Sequence, residues 1–231
     1  MMLRRSAFLL ALAALATPVA FAQTPAKQPP AAPAAALGPG ATVVKNANDS
    51  ISKLLGQKVA PGSKEERDLA AKVTTSVRDF LDLDELGRLA MADHWDKLKP
   101  AEQKEFLDVL RALVEDQYIK GLRSQVTYTI AYKGESKKNN NVLVETEVTS
   151  TRKGRPFTIK IDYELENKGG KLRAIDMQTD GVGLVENYKS MFNRIMVKGG
   201  YAELIKKMKD KLAQQQKENG TAPTGAGAAK G

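Results

Sequence analysis

The residues whose types and spacing could do acid–base chemistry are few. They are the single histidine, His94, and three carboxylates, Asp162, Glu164 and Glu166, that alternate along "PFTIKIDYELE". His94 sits beside Trp95 in "MADHWDKL", and a lone helical histidine is far more often a packing or surface group than a catalyst. The carboxylates occupy every second position of a strand whose other positions are Phe157, Ile159, Ile161, Tyr163 and Leu165, so they read as solvated charge on a wet face rather than as a glycosidase-like pair. No G-x-S-x-G elbow accompanies a base, and one histidine with no cysteine is too small a set for zinc. "DGVG" at 180–183 opens a helix but lacks the lysine and the spacing of a phosphate loop. No catalytic residue, metal or cofactor is expected.

What is abundant instead is apolar surface with a period. "TVVKNANDSISKLL" (42–55) places Val43, Val44, Ala47, Ile51, Leu54 and Leu55 on one helical face. Ser63 and Glu66 form a capping box ahead of Leu69, Val73, Val77 and Phe80, and Asp82 and Glu85 form another ahead of Leu86 and Leu89. Pro100 opens a helix with one stripe through Phe106, Leu110, Leu113 and Gln117 and a second through Leu107, Val114 and Tyr118. The period then drops to two. Val126, Tyr128, Ile130 and Tyr132 share a face, as do Val142, Val144, Thr146 and Val148, then the Phe157–Leu165 series, then Ile175 and Met177. Short polar links between them, "KGESKKNNN", "RKGR" and "NKGG", favour consecutive antiparallel pairing. A helix over 184–196 carries Leu184, Val185, Tyr188, Met191, Phe192, Ile195 and Met196, and a last one runs from Tyr201 to about Gln214. The class is α+β, a four-stranded antiparallel curled sheet covered on one face by about six helices.

The ends read differently. Residues 1–22, "MMLRRSAFLLALAALATPVAFA", have the charged start, apolar middle and small-residue close of a cleaved secretory signal. The run from Ala7 to Ala16 is shorter than the about 20 residues that cross a bilayer core. Residues 23–41 read as a Pro/Ala-rich disordered linker, 42–214 as one domain and 215–231 as a disordered tail. With no cysteine, the core of this exported chain must supply its stability. The net charge is +9, or +7 once Arg4 and Arg5 leave with the signal, which suits anionic surfaces such as phospholipid headgroups. Basic runs such as "IKKMKDKL" lack interleaved aromatics, so nucleic acid is not an expected partner.

A filled core is the default account of so many inward groups, but Tyr128, Tyr132 and Tyr163 on one sheet face, with Tyr188 opposite, each need a hydroxyl partner. Several together suggest a cavity with a wet mouth.

The run "FLDLDELGRLAMADHWDKLKPAEQKEFLDVLRALVEDQYIKGL", followed by strands and "DGVGLVENYKSMFNRIMVKGGYAELIKKMKDKL", resembles the MlaC family over roughly Thr42 to Leu212. Its particular marks are Leu86-Gly87-Arg88, the His94–Leu98 pentapeptide, Pro100-Ala101-Glu102-Gln103 and the Asp180–Ile195 run. Lys99 and Gly183 depart from the Thr/Ser and Ser of that pattern and are weaker caps. The resemblance implies an NTF2-like cone enclosing an apolar pocket. It also implies a periplasmic, monomeric phospholipid carrier that is not an enzyme. Such a carrier shuttles lipid between an outer-membrane lipoprotein–porin complex and an inner-membrane ABC transporter complex of the Mla type, maintaining outer-membrane lipid asymmetry. On strand alternation and helix stripes, the candidates for tail contact are Phe80, Leu83, Leu86, Leu110, Leu113, Tyr128, Ile130, Tyr132, Val144, Val148, Ile159, Ile161, Tyr163, Met177, Val185, Tyr188 and Phe192, about half of them expected to be plain core. Arg88, Lys97 and Lys99 are candidates for headgroup or partner contact. The alternatives are an enzyme on the same scaffold, with Asp176 as its nearest acid although parity points it outward, a carrier of another apolar ligand such as a hopanoid, and an adaptor with a filled core.

Overall fold

The computed structural model describes residues 37–121, 128–152 and 154–219; the signal at 1–22, most of the linker, Val126 and the end of the tail lie outside them. In chain order come α1 (Pro39–Leu55), α2 (Lys64–Phe80), α3 (Leu83–Met91), a 3-10 turn (Ala92–Lys97) and α4 (Pro100–Gly121). The strands β1 (Tyr128–Lys138), β2 (Asn141–Arg152), β3 (Arg155–Lys168), β4 (Lys171–Thr179) and β5 (Val182–Gly183) follow, then α5 (Leu184–Asn219). The architecture is α+β. The sheet has five strands in the order β1-β2-β3-β4-β5, all antiparallel, not the four expected. The extra strand is the two-residue Val182–Gly183 pairing with Gln178 and Thr179, too short to show a period. The two last helices form one element interrupted at Gly200, whose φ of 66° is open to glycine without strain. That element ends at Asn219, five residues past the expected boundary.

The N-cap half of each capping box forms, but the return bond does not, since Glu66 accepts from the Gly62 amide and the Ser63 and Asp82 amides donate to the Ala60 and Ala174 carbonyls. Ser63 Oγ accepts from the Glu66 amide at 3.1 Å, and Asp82 Oδ1 accepts from the Glu85 amide at 3.1 Å. The two weak caps are rescued by other residues. Glu102 turns back to accept from the Lys99 amide at 2.8 Å, and Asp176 accepts from the Val185 amide at 2.9 Å at the head of α5. A Cβ at Gly183 would sit 2.7 Å from Asp176 Oδ2, so glycine makes room for the carboxylate that replaces a local cap.

Two bulges depart from simple alternation. One at Lys133 brings Glu135 opposite Val144, on the side of the sheet that faces α1. There Glu135 Oε2 accepts from the Ala41 amide at 2.8 Å, so a strand carboxylate anchors the start of α1. That contact, with Gly38 and Gly40 allowing close approach to Glu135, lets α1 start at Pro39 inside the expected linker. The other bulge, at Ile175, makes Ala174 the inward partner of Leu165. Ile175 is buried but belongs to neither cluster described below.

The wet-face reading of the β3 carboxylates is overturned for two of them. Asp162 is 8% exposed, and Glu164 is held by Lys138 at 2.5 Å and Asn141 at 2.7 Å. Strand β3 is central in the sheet, and Lys138 of β1 and Asn141 of β2 reach over to Glu164 on its outer face.

Leu81 bridges Ala174 in parallel, and the Asp82 amide donates to the Ala174 carbonyl at 2.8 Å. Arg173 donates to the carbonyls of Arg78 and Leu81 at 2.6 and 2.8 Å and pairs with Asp82 at 3.4 Å, and Lys168 reaches the same carboxylate at 3.1 Å. Burial opposes ionisation of Asp82, yet the Glu85 amide, Lys168 and Arg173 together hold its carboxyl below the usual range. Its stabilisation is therefore complete above the unfolded-state value of about 3.9 and is lost as pH falls through the lower folded-state value. Asp82→Asn should cost about 1–3 kcal/mol in urea melts at pH 7, a deficit that shrinks below about pH 4. Asp82→Ala should cost about 1 kcal/mol more by removing the cap.

Candidate functional site

The apolar interior is divided into two clusters. The first joins α1 and α2 to the sheet through Val44, Val77, Phe80, Leu83, Val144, Tyr163 and Met177. The second joins α3, α4 and α5 through Leu86, Leu110, Phe106, Phe192 and Leu204. Val114 of α4 packs against both. The second cluster has an aromatic spine. Trp95 meets Phe106 at 6.3 Å, Phe106 meets Phe192 edge-on at 5.4 Å, and Tyr188 stacks flat on Phe192 at 5.4 Å.

The expected tail-contact residues split along this division. Phe80, Leu83, Tyr132, Val144, Ile161, Tyr163 and Met177 lie in or against the first cluster, and Leu86, Leu110, Leu113, Val185, Tyr188 and Phe192 in or against the second. Tyr188 thus stacks within the helical cluster and does not join the sheet tyrosines as anticipated. Tyr128, Ile130, Val148 and Ile159 belong to neither cluster.

Those four share the inward face at one end of the sheet, in register: Tyr128 opposite Ser150, then Ile130, Val148 and Ile159 in a single row. Val148 and Ile159 are 7% and 9% exposed, Ile130 is half-buried and Tyr128 is 37% exposed. Among the described residues, α1 is the helix that packs broadly on β1 and β2. Helix α4 packs on α2, α3 and α5, and α5 reaches the sheet at β4 and β5. An apolar sheet face thus has helices around it without being built into either packed cluster.

Phenols gather beside this face. Tyr128 of β1 lies within electrostatic reach of Tyr118 of α4, Tyr132 of β1 and Tyr163 of β3, and Tyr163 also within reach of Tyr118 and Tyr132. Ser52 Oγ of α1 bonds the Tyr128 hydroxyl at 2.7 Å, and Asn48 Nδ2 donates to the Tyr132 hydroxyl at 3.3 Å. Burial pushes Tyr118 up to about 12 and also raises Tyr132 and Tyr163. Asn48, Ser52 and Tyr118 were not among the expected site residues. Their signal was polar groups at helical spacing on the edge of the α1 stripe, and a tyrosine in the second stripe of α4.

The cationic candidates lie elsewhere. Arg88 is clamped by Glu85, and Lys97 and Lys99 are exposed at the start of α4. At 1.5 Å rise per residue, Lys99 is about 28 Å along the helix from Tyr118. A separate cleft of about 490 Å³ opens between α2, α3 and α4. Its charges pair among themselves, Arg78 with Glu115, Arg111 with Asp84 and Asp108, and Arg173 with Asp82.

The model of the MlaC protein family matches residues 45–210. The chain belongs to the MlaC family. Among its MlaC relatives is the intermembrane phospholipid transport system binding protein MlaC of Haemophilus influenzae, 22% identical over 170 residues, which span 71% of this chain and 79% of that protein. The fold is shared with the phospholipid-binding protein from Ralstonia solanacearum, solved in complex with a phospholipid. That likeness has a TM-score of 0.61 at 22% identity and covers 76% of this chain and 98% of the other.

The division between clusters and free face has a measurable consequence. Leu110→Ala, inside the second cluster, should lower unfolding free energy by about 2–5 kcal/mol, because neighbours cannot collapse into the space. Ile130→Ala, outside both clusters, should cost less than about 1 kcal/mol. Denaturant titrations of the two variants make the comparison.

Proposed function

We propose that this MlaC-family chain is a soluble, monomeric periplasmic carrier of phospholipid. In this reading it exchanges lipid between an outer-membrane lipoprotein–porin complex and an inner-membrane ABC transporter complex of the Mla type, maintaining outer-membrane lipid asymmetry. Residues 1–22 direct export and are removed. The observation that carries the reading is the inward row Ile130–Val148–Ile159, with Val148 and Ile159 buried and Ile130 half-buried, yet packed in neither cluster. Phospholipid binding by the relatives gives that row an occupant of the right chemistry. The bent sheet and the helix layer then act as an NTF2-like cone around acyl tails.

The energetics explain why such an interior suits transfer. Each methylene taken from water contributes about 0.8 kcal/mol, so two tails of about 30 methylenes would lose on the order of 20 kcal/mol if left in the aqueous phase. A lining of Ile, Val and Leu returns nearly the environment of the bilayer, so loading is close to neutral and a competing site can reverse it. The charged headgroup stays near water, since burying it unpaired is costly. No helix among the described residues is long and apolar enough to cross a membrane. The alternative of an enzyme gains no support from Asp176, whose carboxylate accepts from the Met177 and Val185 amides at 2.9 Å each and serves as the cap of α5.

Protein purified under native conditions and extracted with organic solvent should release diacyl phospholipid, identified by mass spectrometry. Val148→Trp should shrink the extractable lipid severalfold while the melting temperature moves by no more than about 5 °C. Folded protein whose extract holds no diacyl lipid would refute the carrier.

A further inference from the structure

We infer that the corner where the 3-10 turn and the start of α4 meet α5, just before its bend at Gly200, docks this chain on an anionic phospholipid surface. Docking there does not depend on cargo. The corner is at the head of α4, and Tyr118, beside the free sheet face, is about 28 Å away along that helix from Lys99.

Two segments run together at the corner and are tied at both ends. His94 Nε2 lies 2.9 Å from Asn193 Oδ1, and the Tyr201 hydroxyl donates to the Glu102 carbonyl at 2.8 Å. Between these ties lie Lys97 and Lys99 on one segment, and Arg194, Val197 and Lys198 on the other. All five are exposed, and Val197, at 73%, is the most exposed large apolar side chain among the described residues. Ile195 and Met196 beside it pack against the second cluster, which leaves Val197 and Lys198 facing water ahead of the bend.

The cations of the corner are free. None of the four pairs with a carboxylate among the described residues, whereas Lys45, Lys64, Lys133 and Lys171 elsewhere each do. The acids between the ties are Asp96, within electrostatic reach of Arg88, and Glu102, turned back to the Lys99 amide. Just outside the ties Glu203 pairs with Lys207, and exposed Asp93 offsets one charge at most. The corner is therefore a local excess of positive charge on a chain that is basic throughout.

A lone exposed valine needs no explanation by itself. Set among unpaired cations, it matches a headgroup layer, where ammonium groups meet phosphates and a small apolar group sits just beneath them. Three of the four cations are lysines, compact charges on flexible stems. They suit a fluid field of phosphates better than the fixed carboxylates of a protein partner, for which the planar fork of arginine is the usual choice.

The test measures co-sedimentation of the purified chain at low salt with phosphatidylcholine vesicles, with and without about one-third phosphatidylglycerol. Wild type should bind the anionic vesicles and leave the neutral ones. Each cation near such a surface is worth about fivefold, so Lys97→Gln/Lys99→Gln/Arg194→Gln/Lys198→Gln should bind at least about 100-fold more weakly. Lys45→Gln/Lys64→Gln/Lys133→Gln/Lys171→Gln makes the same change in net charge away from the corner and should lose less than about fivefold. Val197→Ser should lose about threefold. No binding of anionic vesicles by wild type, or equal losses in the two quadruple variants, overturns the inference. So does an unchanged affinity in the corner variant, whatever acidic protein that corner then meets. Val148→Trp should dock as wild type does. A chain whose extract holds no diacyl lipid but which still docks refutes the carrier and leaves this inference standing.

Discussion

The structure depends on a short piece of chain, Leu81–Asp82, held like an extra strand against β4. Its hydrogen bond and bridge to Ala174, and the reach of Arg173 to two carbonyls and the Asp82 carboxylate, fix the helix layer to the sheet at one line. Helix α2 ends and α3 begins there, and the apolar residues change allegiance there too. Phe80 and Leu83 belong to the cluster on the sheet, Leu86 and Ala90 to the one among the helices. Because the layer is fixed at β4, near one edge, the faces of β1–β3 are not obliged to lie under α4 and α5.

The consequence is an interior in two parts with different physics. The aromatic spine Trp95–Phe106–Phe192–Tyr188 is packed protein, and it keeps α3, α4 and α5 together. The sheet face beyond the first cluster is apolar without being locked into such packing. A carrier needs both properties, since a core that filled all its own space would have none to lend, and a core that filled too little would not fold without cargo. Helix α1 connects the two requirements. Its N-terminus is pinned by Glu135, and one edge brings Asn48 and Ser52 to the tyrosines of β1.

Much of this was legible in the sequence. The switch from period 3.6 to period 2 locates helices and strands, and the Ser63 and Asp82 boxes mark two helix starts that the structure keeps. The Phe157–Leu165 alternation gives the inward face of β3 throughout. Periodicity failed where a residue acts across the fold. Glu135 sits past a bulge and caps a helix more than ninety residues earlier. Asp162 is buried on the face that alternation assigned to water, and Asp176 caps α5 in place of the missing Ser. Two-residue β5 carries no pattern at all.

By itself, then, the sequence determined which residues turn away from water and in what local geometry, because that follows from side-chain polarity repeated at the pitch of a helix or strand. Its motifs also carried the family. Which inward residues pack against protein and which are left facing each other across the interior was decided only by tertiary structure. Tyr188 and Tyr132 read alike in the chain, yet one stacks on Phe192 and the other accepts a hydrogen bond from Asn48. The reason is that packing is a property of pairs of surfaces, and where two surfaces meet is set by long-range ties such as Asp82 to Ala174 that have no local signature.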